Sequence, residues 1–115
     1  MFLKWKLGRQ KSGYSRLTLC QLNIGKMKLD SHIIKFPEGS CIPEHIDPVD
    51  GYNHYRLNII LRKAKSGGKF YSEKQIFSFR NRVFLFRPDK YKHSVSMIEI
   101  GTRIVFSVGF ALKKT

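Results

Sequence analysis

Long apolar runs and alanine are both scarce in this sequence of 115 residues. No apolar run exceeds five residues, so we expect no membrane-spanning segment. The first ten residues are interrupted by Lys and Arg and contain no apolar stretch of the kind a signal peptide needs. Alanine occurs only twice, and no window sustains the apolar spacing of an amphipathic helix. These absences argue against a membrane protein, a secreted precursor and a mainly helical fold.

Cysteine and acidic residues are also few. The two cysteines, Cys20 and Cys41, form no CxxC pair, which argues against a disulfide framework and a zinc ribbon. We therefore expect both to be buried, reduced thiols in a cytoplasmic protein. The 8 acidic residues stand against 22 Lys and Arg, which gives a net charge of +14. Because 42% of the residues are hydrophobic and 13% are aromatic, the sequence has enough material for a core and does not read as disordered.

Residues that favour strands are abundant. Ile, Val, Thr, Phe, Tyr and Trp together supply 34 positions, and they suit a pleated, half-buried surface. Short runs of these residues, separated by Gly, Pro and Asp, predict an all-β fold of mostly antiparallel strands, a sandwich or a barrel. The predicted strands are Leu17–Leu22, Lys28–Phe36, Ile42–Asp47, Tyr55–Arg62, Lys69–Ser72, Gln75–Phe79, Arg82–Phe86, Val95–Ile98 and Thr102–Leu112.

Two of the predicted strands alternate in polarity. Along residues 55–61 the odd positions are apolar or aromatic, whereas the even positions include Arg56 and Asn58. In the last strand, Arg103 and Ser107 share one face and apolar residues occupy the other. Such strands belong either to an ordinary sheet with one wet face or to a barrel whose polar faces line an internal pocket. The alternation alone does not decide between the two.

A histidine and a carboxylate lie two residues apart in the predicted strand Ile42–Asp47. Because residues i and i+2 of a strand point to the same side, His45 and Asp47 can reach one point in space. His93 follows a strong predicted strand, and Arg103 lies a strand later on a polar face. Two imidazoles and one carboxylate form the facial triad of non-haem ferrous sites, and a guanidinium suits bidentate capture of a carboxylate. The set predicts a metal site with a dicarboxylate cosubstrate.

With these residues in this order, the sequence resembles the 2-oxoglutarate and iron(II)-dependent oxygenases. The resemblance is to the prolyl-hydroxylase-like branch, in its small bacterial or phage-type form, and extends from about His32 to Leu112. It implies one jelly-roll oxygenase domain over residues 1–115, with N-terminal strands in 1–30 and the catalytic core in 31–112. The segments that carry it are Lys35-Phe36-Pro37-Glu38-Gly39, His45-Ile46-Asp47, Arg56-Leu57-Asn58-Ile59-Ile60-Leu61, Gly67-Gly68-Lys69-Phe70, Phe84-Leu85-Phe86, His93-Ser94-Val95 and Gly101-Thr102-Arg103.

The resemblance implies a double-stranded β-helix, the cupin-like jelly roll, and a set of site residues. His45, Asp47 and His93 would be the iron ligands, and Arg103 would hold the distal carboxylate of 2-oxoglutarate. The implied enzyme is a dioxygenase that uses Fe(II) and O₂ to decarboxylate 2-oxoglutarate to succinate and CO₂. It couples this reaction to hydroxylation or a related oxidation of a second substrate, which the sequence does not identify.

The sequence departs from the family's pattern at two positions that bear on the site. Phe36 stands where many members have a tyrosine whose hydroxyl helps to bind 2-oxoglutarate, so another hydrogen-bond donor is needed. Asn58 or Arg56, on the inward face of the neighbouring strand, could supply it, and Ser107 shares the face of Arg103. Gly109 occupies a position often held by an aromatic residue.

The positive charge has two interpretations. It forms either a solvated basic surface or a site for nucleic acid or another acidic partner. In the second case the interleaved aromatics that could stack on bases are Trp5, Tyr14, Tyr52 and Tyr71. The basic residues fall into three groups: Lys4, Lys6, Arg9, Lys11 and Arg16; Arg62, Lys63, Lys65 and Lys69; Arg80, Arg82, Arg87, Lys90 and Lys92. The alternative function is therefore a non-enzymatic cupin-like module that binds such a partner. A metal-dependent cupin enzyme without 2-oxoglutarate is a third hypothesis, against which Arg103 argues.

Overall fold

The computed structural model describes residues 5–7 and 12–114, which form an all-β fold as predicted. These residues contain twelve strands and no helix long and apolar enough to cross a membrane. The strands are β1 (Trp5–Leu7), β2 (Ser15–Ile24), β3 (Met27–Phe36), β4 (Ile42–His45), β5 (Tyr52–Arg62), β6 (Ser66–Gly67), β7 (Phe70–Ser72), β8 (Gln75–Phe79), β9 (Val83–Phe86), β10 (His93–Val95), β11 (Ile98–Ile100) and β12 (Arg103–Lys113).

The strands pair antiparallel in three sheets. The large sheet has seven strands in the order β1-β2-β3-β12-β5-β9-β8, the small sheet has the order β4-β10-β7, and β11 pairs with β6. The last strand, β12, is thus the middle strand of the large sheet, between β3 and β5. The core lies between the large and small sheets, where Phe36, Phe86 and Val105 from the one meet Val95 and Phe70 from the other. This two-layered antiparallel arrangement is the predicted jelly roll.

Most predicted strands are present with shifted ends, one is divided in two, and two short strands were not predicted. The predicted strand Val95–Ile98 is divided between β10 and β11, because the chain turns at Ser96, which exchanges hydrogen bonds with the backbone of Lys69. The two-residue strand β6 was not predicted, and Gly67 and Gly68 there have positive φ, 76° and 67°. The sequence does not predict β1.

The expectation that both cysteines are buried is wrong for Cys20. A register irregularity between Thr18 and Cys20 in the pairing of β2 with β3 shifts the alternation of the strand, and Cys20 is exposed. Cys41 is partly buried, and both residues are free thiols.

The structure settles the meaning of the alternating strands. Arg56, Asn58, Arg103 and Ser107 line a cavity of about 120 Å³ between the two sheets, whereas the apolar residues that alternate with them point away from it. Arg103 is 2% exposed and Ser107 is fully buried. The polar faces therefore line an internal pocket, which was the second of the two interpretations.

Candidate metal and cosubstrate site

The three predicted metal ligands meet in the cavity between the sheets. One ligand atom from each of His45, Asp47 and His93 lies within 4.8 Å of the others. Nε2 of His45 is 3.1 Å and Nε2 of His93 is 3.5 Å from Oδ2 of Asp47. The register of the small sheet produces this convergence, because His45 in β4 and His93 in β10 are directly opposite each other. The structure thus brings the three side chains together, and their coordination of a metal stays a prediction.

Each histidine is oriented by a backbone carbonyl. Nδ1 of His45 is 2.7 Å from the carbonyl oxygen of Pro43, and Nδ1 of His93 is 3.2 Å from that of Tyr91. Because a carbonyl only accepts, Nδ1 donates in both rings, and Nε2 of a neutral ring is left with its lone pair. Two such lone pairs facing one carboxylate oxygen repel it unless a cation lies among them. The donor set and its supporting hydrogen bonds therefore fit a divalent metal ion.

Asp47 reaches the histidines by a different route from the one predicted. Strand β4 ends at His45, so strand alternation does not extend to Asp47, and the prediction of a strand as far as Asp47 is wrong. Instead, the backbone N–H of Asp47 donates to the carbonyl oxygen of Pro88 at 2.7 Å. This bond fastens the segment to the loop that follows β9.

Arg103 is a buried cation without an anionic partner. Its guanidinium lies over the ring of Phe36, 4.9 Å from the centroid. Nε and Nη2 are buried and have no hydrogen-bond partner, and none of the salt bridges in the described part of the chain involves Arg103. Burial lowers the pKa of the guanidinium to about 10. An isolated buried charge is costly, so the position calls for an anionic ligand.

The other predicted cosubstrate-binding residues line the same cavity but bond to one another. Arg56 donates from Nη1 to Ser107 Oγ at 2.7 Å, and Ser107 donates to Asn58 Oδ1 at 2.6 Å. Nη2 of Arg56 donates to Asp30 Oδ1 at 2.8 Å. The charge of Arg56 is therefore matched inside the protein, unlike that of Arg103. Binding of a cosubstrate by Asn58, Arg56 and Ser107 stays a prediction.

Asp30, the partner of Arg56, was not among the predicted site residues. Asp30 also lies 3.2 Å from Nε2 of His32. Burial raises the pKa of Asp30, but the hydrogen bond with His32 and the charge and hydrogen bond of Arg56 outweigh it and hold the pKa well below its usual range. A Cβ atom at Gly109 would collide with the guanidinium of Arg56, which explains a glycine here. The i, i+2 spacing of Asp30 and His32 in β3 was the signal available in the sequence.

Tyr14 was not predicted as a cavity residue; it was named only among the aromatics that could stack on bases. Tyr14 is 7% exposed and lines the cavity. Its ring stacks on Phe36 with 5.3 Å between centroids. Phe36 is also the ring over which the guanidinium of Arg103 lies. Trp5 and Tyr71, by contrast, are each 50% exposed.

A second cavity of about 730 Å³ adjoins the first, and Arg103 lines both. Lys63, Lys65 and Lys69 lie along its wall. Glu99 is the one carboxylate among the lining residues, and it accepts a hydrogen bond from a serine hydroxyl. Three of the four members of the second predicted basic group thus lie beside the approach to Arg103. Three members of the first group lie outside the described residues: Lys4, Arg9 and Lys11.

Comparison with protein families and with curated proteins finds no match, whereas several solved structures have similar folds. A Pseudomonas putida prolyl-4-hydroxylase has a TM-score of 0.66 and 11% sequence identity, over 97% of this chain and 79% of that one. A viral collagen prolyl hydroxylase from Paramecium bursaria Chlorella virus-1, in a 2OG complex, has a TM-score of 0.60 and 16% identity, over 79% and 63%. KdgF from Halomonas sp. has a TM-score of 0.60 and 12% identity, over 96% and 87%.

These similarities concern the fold, since all three identities are 16% or lower. The chain spans 63% of the length of the viral hydroxylase. The resemblance that the sequence motifs predict is confirmed at this level: the chain has a jelly-roll fold like that of the two prolyl hydroxylases.

Proposed function

We propose that this protein is an Fe(II)- and 2-oxoglutarate-dependent dioxygenase that hydroxylates or otherwise oxidises a second substrate. One observation carries the proposal: a histidine–aspartate–histidine cluster and a buried arginine without an anionic partner share a single cavity. A metal site alone would suit many cupin-like proteins, and a buried arginine alone would suit many anion-binding proteins. Both together suit a cosubstrate that offers a chelating end to the metal and a carboxylate to the guanidinium.

His45, Asp47 and His93 would hold the iron through Nε2, a carboxylate oxygen and Nε2. The carbonyl oxygens of Pro43 and Tyr91 support this role by fixing both imidazoles with Nε2 towards Asp47. When bound, ferrous iron supplies the oxidative chemistry with O₂, and 2-oxoglutarate leaves as succinate and CO₂. The protein's own contribution is to orient the metal ligands and to line the cavity between the sheets.

Arg103 would bind the distal carboxylate of 2-oxoglutarate. A bidentate pair with the carboxylate satisfies its two unpartnered nitrogens and matches a charge that burial otherwise penalises. Lys63, Lys65 and Lys69 around the adjoining cavity raise the local concentration of a dianion. Tyr14 is our candidate for the hydroxyl that Phe36 lacks, because its buried ring stacks on Phe36 and lines the same cavity.

We also propose that the chain is a single domain with a cytoplasmic location. Residues 1–115 would form one jelly-roll unit in which 31–112 carries the catalytic core, and Tyr14, directly before β2, adds to the cavity wall. A cytoplasmic location suits a protein with two free thiols.

The test is an anaerobic titration of the protein with Fe(II) and 2-oxoglutarate, followed by optical absorption. A bidentate chelate on ferrous iron should give a metal-to-ligand band, and His93→Ala should abolish it. His32→Ala is the matched control, because His32 and His93 are 8% and 7% exposed and only His93 belongs to the cluster. Under air, the wild type should release some succinate from 2-oxoglutarate even when no second substrate is added.

A folded wild type that forms no band and releases no succinate would overturn the enzyme proposal. The basic surface would then favour the non-enzymatic module, and binding of a nucleic acid or an acidic protein would be measured next. Activity restored by Zn(II) but not by Fe(II) would instead contradict the metal assignment. Binding of Ni(II), Co(II) or Zn(II) alone would not, since these ions bind such a donor set as tightly as iron or more tightly.

A further inference from the structure

The outward face of the large sheet is apolar across its full width. Residues in direct register form one row that crosses all seven strands: Trp5, Leu17, Ile33, Phe106, Ile59, Val83 and Phe79. The next row adds Val108, Leu57, Leu85 and Phe77. These positions alternate with the ones that line the cavity, so their side chains point away from it. We refer to the two rows as the outer apolar face.

The outer apolar face is most exposed at the two edges of the sheet. Trp5 on β1 is 50% exposed, and Phe77 and Phe79 on β8 are 52% and 53% exposed. Within residues 5–7 and 12–114, the strands that do not belong to the large sheet form the small sheets on the cavity side. The other members of the two rows, between these edges, are partly exposed. A contiguous apolar surface of this kind is typical of an interaction site in a folded protein.

Positive charge borders this face. Lys35 and Arg62 are both in register with Ile104, which is two residues before Phe106 of the first row and is the next outward position on β12. The guanidinium of Arg80 lies 5.3 Å from the ring centroid of Phe79. None of the three cations takes part in a salt bridge in the described part of the chain. No outward position on the described strands of the large sheet is Asp or Glu. An apolar centre with a basic border therefore fits an apolar partner that carries carboxylates.

We propose that the outer apolar face binds an acidic amphipathic helix of a partner protein. Its apolar stripe would pack on the two rows, and its carboxylates would pair with Lys35, Arg62 and Arg80. Seven strands spaced about 4.8 Å apart span about 29 Å, the length of a helix of about 20 residues. The other usual cover for a sheet face is a second sheet. A second copy of this chain is disfavoured, because each copy carries a net charge of +14 and offers no acidic residue at this border.

The probe is a synthetic helix of about 20 residues with leucine along one face and glutamate along the other, compared with the same peptide carrying lysine for glutamate. Affinity is measured from the anisotropy of labelled peptide. The emission of Trp5, the single tryptophan of the chain, reports whether the peptide covers the sheet. We expect the glutamate peptide to bind at least tenfold more tightly than the lysine peptide and to shift the Trp5 emission to the blue.

Two double variants locate the binding surface. F77S/F79S should weaken binding of the glutamate peptide at least tenfold. The matched control Y71S/M97S removes two side chains of similar exposure, 50% and 56%, that lie outside the large sheet, and it should leave the affinity unchanged. Both variants should retain the wild-type far-UV spectrum.

Several results would overturn the proposal. Equal binding of both peptides would contradict an acidic partner. Equal weakening by both double variants would contradict the assignment of binding to the outer apolar face. A concentration-dependent dimer that F77S/F79S abolishes would identify a second copy as the occupant. Blue-shifted Trp5 emission on phosphatidylcholine–phosphatidylserine vesicles, without binding of the glutamate peptide, would identify a lipid surface. Because the face lies opposite the cavity, none of these results depends on iron or 2-oxoglutarate.

Discussion

Replacing Arg103 with methionine is expected to stabilise the ligand-free protein while removing its response to 2-oxoglutarate. Burial lowers the pKa of Arg103 from 12.5 to about 10, which corresponds to roughly 3 kcal/mol at about 1.4 kcal/mol for each pH unit. The sign is fixed by the direction: a cation with a lowered pKa destabilises the folded state at every pH below that pKa, so the full penalty acts at pH 7.

Methionine removes this penalty and keeps an apolar contact with Phe36. The contact between the guanidinium and the ring of Phe36 stabilises by about 1–2 kcal/mol, and a sulfur–aromatic contact replaces part of it. The net expectation is a gain of about 2 kcal/mol in the free energy of unfolding, or roughly 8 °C in Tm for a domain of this size.

The assay is urea and thermal unfolding of the metal-loaded protein under anaerobic conditions, with and without 2-oxoglutarate. At a ligand concentration one hundred times Kd, the wild type should gain about 2.7 kcal/mol, whereas Arg103→Met should gain nothing. Arg56→Met is the control of opposite sign, because it leaves the carboxylate of Asp30, partner of Arg56 at 2.8 Å, without its cation and should cost about 3 kcal/mol. If Arg103→Met is destabilised as much as Arg56→Met, the reasoning is refuted and Arg103 has a structural partner.

Three further variants test the residues around this cavity. Asp30→Asn should lower the free energy of unfolding by about 2 kcal/mol at pH 7. Because the pKa of Asp30 is lowered by its bonds to His32 and Arg56 despite its burial, the wild type should lose stability as the pH falls below about 4. Urea unfolding at several pH values should show a smaller loss for the variant. Gly109→Ala should displace Arg56 from Asp30 and lower the free energy of unfolding by about 1–2 kcal/mol, so an unchanged Tm would contradict the account of Gly109. Tyr14→Phe keeps the ring and removes the hydroxyl, and we expect about tenfold weaker 2-oxoglutarate binding with unchanged metal affinity; unchanged binding of both would exclude the hydroxyl as a ligand.

Most of the fold could be predicted from the sequence, because alternation and turn residues are local signals. The period-two pattern placed Arg56, Asn58 and Ser107 on inward faces, and the structure has them there. Local signals failed where strands change partners, as at Ser96, where one predicted strand is divided in two. They also failed to place Tyr14 in the cavity, because its burial depends on packing against Phe36, a residue 22 positions away in the chain.

By itself, the sequence determined the chemistry available to the protein: strands with polar inward faces, two histidines and an aspartate in a fitting order, and an arginine on an otherwise apolar strand. The tertiary structure decided which of these groups meet. His45 and His93 are far apart in the chain, and only the register of β4 against β10 places them opposite each other. Two inward arginines look equivalent in the sequence, yet Arg56 is matched by Asp30 whereas Arg103 is buried without a carboxylate. The physical reason is that alternation fixes the direction of a side chain, whereas its neighbours depend on pairings between distant strands that no local pattern encodes.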